Sequence, residues 1–148
     1  MSLPAVHAVQ LYRVIGGIFL ILMAQGQLPA HFAEPAGWGD IAIGLAAPLV
    51  GLALARRVAG SRAIAAGWNL LGLLDLVVAV GMGTGYLAPL LVPHLGAQVP
   101  PAAAMGVFPL VVVPTFAVPM GIMLHVLGLI RLAEASRVAV RPIARAVS

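Results

Sequence analysis

Four apolar stretches dominate the chain, at about residues 9–28, 36–55, 63–83 and 105–132, with shorter segments rich in Pro, Gly, Arg or polar groups between them. Each is near the ~20 mostly apolar residues that a helix needs to cross the hydrocarbon core of a bilayer. The pattern predicts an all-α polytopic membrane protein, one membrane domain over residues 1–148 built as a four-transmembrane-helix bundle.

The first run contains LYRVIGGIFLILMAQGQL. A cleavable leader is the rival, since residues 14–24 match the apolar core of one in length. The basic residues that should precede such a core are missing apart from Arg13, so the run is read as span one. The following LPAHFAEPAG supplies turn chemistry. Span two carries Asp40 about one turn below its start and ends at Arg56 and Arg57. Span three, after the short basic connector RRVAGSR, contains Asn69 and Asp75. Pro89, Pro93, Pro100 and Pro101 exclude one regular helix from the longest connector. In the last run Pro109, Pro114 and Pro119 recur at five-residue intervals, each removing a backbone donor and crowding the preceding turn. A proline-broken or re-entrant entry is expected, then a helix from about Thr115 to Leu132 and a basic tail over residues 133–148. Irregular backbone at that depth must pack on protein or line a cavity.

Composition excludes the soluble alternatives. The chain is 62% hydrophobic and 8% charged, where soluble domains carry roughly 25% charged residues. The absence of cysteine excludes disulfides and thiolate metal sites. The net charge of +4 does not point to nucleic acid, because the arginines flank apolar runs and no basic-aromatic pattern suits bases. Arg56, Arg57 and Arg62 follow span two, and Arg131, Arg137, Arg141 and Arg145 follow span four. With four spans both groups fall on one side, which the positive-inside rule makes cytoplasmic. Both termini are then expected inside, in a bacterial inner membrane, with His31, Glu34 and His94 in the outer loops.

Candidate chemistry lies in the few polar groups inside the spans, since intramembrane acids usually mark a ligand, ion or proton site. Asp75, about twelve residues into span three, is the sharpest signal; Asp40, Asn69, His125 and Arg13 complete the set. Asn69 and Asp75 are six residues apart, about 240° on an ideal helix, so they do not share a face. Asn69 reads as interhelical glue and His125 as a hydrogen-bonded group or proton relay. Arg13 either snorkels to the interface or turns inward onto an acid, Asp75 first. Gly37, Gly44 and Gly51 form a seven-residue packing stripe, with Gly16 and Gly17 as a candidate facing surface. Two minor arrangements are also compatible with the residues. A metal could sit among His31, Glu34 and His94, or haems between the inner pair His7 and His125 and the outer pair His31 and His94.

The segments LPAHFAEPAGWGD, GLAAP, WNLLGLLDLVVAVG, FPLVVVPTFAVP and LHVLGL resemble a group of uncharacterised small bacterial integral membrane proteins, over most of residues 13–131. A looser resemblance is to DoxX-like four-span proteins, in Arg13, Gly16 and Phe19 of span one and Asp40 of span two, although Gln27 and Leu28 stand where that group has a lysine. This second resemblance implies an accessory role in membrane redox systems.

No nucleophile–base arrangement stands out, so a non-enzymatic role is expected. The leading expectation is a polar intramembrane site that binds or transports a small molecule, ion or proton, in a homo-oligomer or within a larger membrane complex. The alternatives are a redox-associated subunit binding haem or quinone, and a structural subunit.

Overall fold

A computed structural model describes residues 1–93 and 102–146, with side chains as far as Arg137. His94, Pro100 and Pro101, and the side chains of Arg141 and Arg145, lie outside the described residues. The described chain is helical throughout, with no strand. Four segments are long and apolar enough to cross a membrane: Leu3–Ala24, Ala30–Ala55, Ser61–Gly83 and Val113–Arg137. The protein is a small membrane protein.

The first span starts six residues before the predicted boundary. Pro4 sits in the first helical turn, where its missing N–H has no partner to lose, so the helix begins at Leu3 and takes in His7. The span has three parts: helix α1 (Leu3–Ala8), a 3₁₀ segment Val9–Gly17, and helix α2 (Ile18–Ala24). Runs of 3₁₀ helix longer than 3–4 residues are uncommon. Here the sequence supplies the reason. His7, Gln10, Arg13, Gly16 and Phe19 are buried, and they recur every third residue. Three residues per turn stacks them in one line, where an α-helix would turn each one away from the last by about 60°.

Helix α3 runs Ala30–Ala55 and also begins six residues early. Pro29 adopts an extended conformation just outside it, and Pro35 inside costs one hydrogen bond near the end. Asp40 therefore lies about 15 Å into the helix at 1.5 Å per residue, and not one turn below its start. Helix α4 is Ser61–Gly83, and its buried residues Ser61, Ala65, Trp68, Asn69, Gly72 and Leu76 follow the α period. A short helix α5 (Ala88–Leu91) and a 3₁₀ turn, Ala103–Gly106, follow. The fourth span enters through a π-helical turn, Val113–Ala117, carrying Pro114, so it begins eight residues after the predicted start. It continues as α6 (Val118–Ala146), without a break at residue 133.

Each span packs on the next, and the fourth returns to the first, so the four close a ring. The glycine stripe of α3 lies along the first span: Gly37 against Leu20, Gly44 against the backbone of Val14, and Gly51 against the carbonyl oxygen of Pro4. The expected glycine-to-glycine facing does not occur. Gly16 and Gly17 instead receive Asp40 and Ile41. Two apolar clusters fill the bundle ends. One gathers Phe19, Phe32, Ala36 and Met82, and the other Ile43, Ala47, Val50, Trp68 and Leu132. A polar layer separates them.

A side chain at position 51 has no room, because its Cβ would stand 2.8 Å from the Pro4 oxygen. Gly51→Leu is expected to cost about 1–3 kcal/mol through overpacking. Gly67→Ala, whose Cβ would meet nothing within 4 Å, should be neutral or slightly stabilising. Unfolding of the two variants in detergent micelles measures the contrast.

Candidate functional site

Arg13 occupies the centre of the polar layer. Its stacked register on the 3₁₀ segment aims it into the bundle, and it is 3% exposed. The guanidinium donates through Nε to Asp40 Oδ1 at 2.7 Å and through Nη2 to Asp75 Oδ2. It also donates through Nη1 to His125 Nε2 at 3.2 Å, with the Gly72 carbonyl oxygen 3.4 Å away. One cation thus joins residues from all four spans. The Asp40 and Asp75 side chains keep 18% and 14% exposure, while that of Arg13 keeps 2%. The carboxylates form the accessible side of the cluster and the guanidinium the sealed side.

Hydrogen-bond chemistry fixes the histidine protons. A guanidinium only donates, so His125 Nε2 accepts and the neutral ring carries its proton on Nδ1. That proton faces Asn69 Oδ1 at 3.0 Å. Asn69 Nδ2 donates to Ala65 O at 2.7 Å and to His7 Nε2 at 2.9 Å. His7 then donates from Nδ1 to Leu3 O at 2.8 Å. The bonds run in one direction, from Arg13 through His125, Asn69 and His7 to Leu3. Asn69 is a poor link for proton transfer, because its amide carries donor and acceptor on separate atoms that do not exchange roles as imidazole nitrogens do. The chain positions Arg13 and closes that end of the bundle. Trp68 lies over both rings, with centroids 5.6 Å from His7 and 5.0 Å from His125.

Close approach of these groups depends on glycine. A Cβ at Gly16 would meet the Asp40 carboxylate, one at Gly39 the Asp75 carboxylate, and one at Gly72 the His125 ring. Side chains thereby reach across the bundle axis where a larger residue would hold the helices apart.

All five residues singled out in the sequence, Arg13, Asp40, Asn69, Asp75 and His125, lie in this one layer. Arg13 turns inward and meets both acids. Asn69 and Asp75 do not touch each other; they flank Gly72 and reach different partners. Sequence reasoning missed His7 and Gln10. Gln10 Nε2 lies 3.1 Å from His125 Nδ1, and its Oε1 is buried without a partner. Their signal was the three-residue spacing shared with Arg13, which an α-helical period hides. His31, half-buried, and Glu34, exposed, stand near the start of α3. Among the described residues no group of three or more His, Asp or Glu side chains could hold a metal ion.

Two cavities border the carboxylate side. One of about 230 Å³ has Tyr12, Arg13, Gly16 and Asp40 in its wall. The other, of about 440 Å³, runs from Asp40 and Leu76 past Phe19 and Phe32 to the end of α4 at Gly83 and Thr84, where Ala102–Gly106 covers it. The polar layer is therefore approached from the end that carries the connector after α4.

Removal of the guanidinium leaves two buried carboxylates without a cation. Arg13→Met is expected to destabilise the fold by about 3–5 kcal/mol, and addition of Asp40→Asn and Asp75→Asn should recover most of the loss. Asn69→Leu should cost about 1–3 kcal/mol by stranding two ring nitrogens. Denaturant unfolding in micelles, run as a mutant cycle, checks both.

No curated protein and no solved structure matches the chain. A family model described as Domain of unknown function (DUF8737) matches residues 2–133, which takes in every residue of the polar layer, and the chain belongs to that family.

Proposed function

We propose that this is a small transport-type membrane protein that holds a proton or a small cationic molecule at the Arg13–Asp40–Asp75 cluster. One observation carries this reading: two carboxylates share one guanidinium, while the two neighbouring histidines are held neutral by their hydrogen bonds. With both acids ionised, the cluster holds one negative charge too many. An uncompensated charge at membrane depth costs several kcal/mol, so a proton or another cation accompanies the cluster. The cavities deliver that partner to the exposed edges of Asp40 and Asp75. Asp75 is the group that takes it up, Asp40 borders the approach, and Arg13 keeps the pair from binding a second cation.

Haem ligation fits the histidines poorly. His125 and His7 each have both ring nitrogens engaged, so an iron could bind only by breaking the bonds that hold the layer together.

Orientation follows from the arginines. Arg56, Arg57, Arg62, Arg131 and Arg137 are exposed at the end opposite the cavities. The positive-inside rule makes this end cytoplasmic, with both termini inside and the cavities on the outer half of a bacterial inner membrane. A homo-oligomer would widen the path past four short helices.

Two measurements test these statements. In proteoliposomes the native chain should speed the collapse of an imposed pH gradient, and Asp75→Asn should lose most of that effect; an unchanged rate overturns the role of Asp75. Enzyme reporters fused after Ser148 should be active only as cytoplasmic markers, and activity of a periplasmic reporter there would reverse the orientation.

A further inference from the structure

The larger cavity has a wall suited to more than a proton. Apart from Asp40 and Thr84 its lining is apolar, and the Thr84 hydroxyl is already spent on the Val80 carbonyl oxygen at 2.8 Å. Phe19 and Phe32 stand together in the wall, their ring centroids 5.6 Å apart and tilted by 48°. The rim residues Val80, Thr84, Ala103, Gly106 and Pro114 are exposed. The opening thus faces sideways, between the outer halves of α4 and the fourth span, where acyl chains would surround the bundle.

We propose that this cavity binds a monovalent organic cation with an apolar body, a quaternary or protonated amine, whose charge sits between the Asp40 carboxylate and the Phe19–Phe32 pair. The assignment rests on the excess negative charge proposed above for the cluster. Three features select this class over others. A bare metal cation needs several oxygen ligands, and the cavity side chains offer one carboxylate and an engaged hydroxyl. A neutral apolar molecule would fill the volume and leave the charge without a partner. An organic cation satisfies the carboxylate, draws on the ring faces, and carries its own apolar coat into a space of about 440 Å³. A lateral mouth admits a molecule of this kind directly from the membrane.

The test uses the full chain in nanodiscs, with benzyltrimethylammonium and its uncharged carbon isostere as probes, and binding read by calorimetry. The ammonium should bind about tenfold more tightly than the isostere, the factor that ~1.4 kcal/mol of charge pairing gives. Asp40→Asn should abolish the difference between the two probes. Phe32→Leu, which keeps an apolar side chain but removes the ring face, should weaken the ammonium about two- to five-fold. Ala103→Trp, at the exposed rim and away from the polar layer, should block both probes in a protein that unfolds like the native chain. Equal binding of the two probes, discrimination that survives Asp40→Asn, or no binding of either probe overturns the assignment. Failure here together with a pH-gradient effect that depends on Asp75 sinks the organic cation alone. Failure of both removes the charged-site reading as well.

Discussion

A single guanidinium shared by two carboxylates holds the four spans in register. Arg13 comes from the first span, Asp40 from the second and Asp75 from the third, and His125 of the fourth accepts from the same group. Lipid gives helices no hydrophobic reason to associate, because acyl tails are as apolar as leucine. Polar groups that can be satisfied only by one another therefore carry unusual weight in deciding which faces turn inward. The outer surfaces of the spans are apolar and interchangeable. The inner surface has one arrangement in which every charge meets its partner.

The rest of the architecture serves that arrangement. Glycines at positions 16, 39 and 72 remove the side chains that would stand where Asp40, Asp75 and His125 need to be. The stripe at 37, 44 and 51 draws α3 onto the first span closely enough for Arg13 to reach its acids. Apolar clusters at both ends exclude water from the layer, which strengthens every ion pair inside it. Asymmetry is the functional consequence. On one side a Trp68-covered chain of imidazoles and amide seals the layer, and on the other two cavities lead to it.

Much of this was legible in the sequence. Four long apolar runs in a chain this short allow little besides a four-helix membrane bundle, and an ionisable residue inside such a run has few places to go except the interior. That reasoning placed Arg13, Asp40, Asn69, Asp75 and His125 together without coordinates. What it misjudged were helix ends and pitch. Pro4, Pro29 and Pro35 read as turn signals, yet each stands where a helix tolerates it, so two spans began six residues early and the depth of Asp40 was underestimated. Pro114 had the opposite effect and delayed the fourth span. His7 and Gln10 escaped because their relation to Arg13 appears only at three residues per turn, a pitch adopted here to satisfy buried polar groups and not foreshadowed by local propensity.

The overwound stretch has a genetic corollary. In ordinary membrane helices a residue gained or lost can be absorbed by sliding or tilting in lipid. Between His7 and Phe19, a single-codon insertion would rotate everything beyond it by a third of a turn, carrying Arg13 or Gly16 out of line. Only triplets of residues preserve the alignment, so natural length variation in this segment should come in steps of three or not at all.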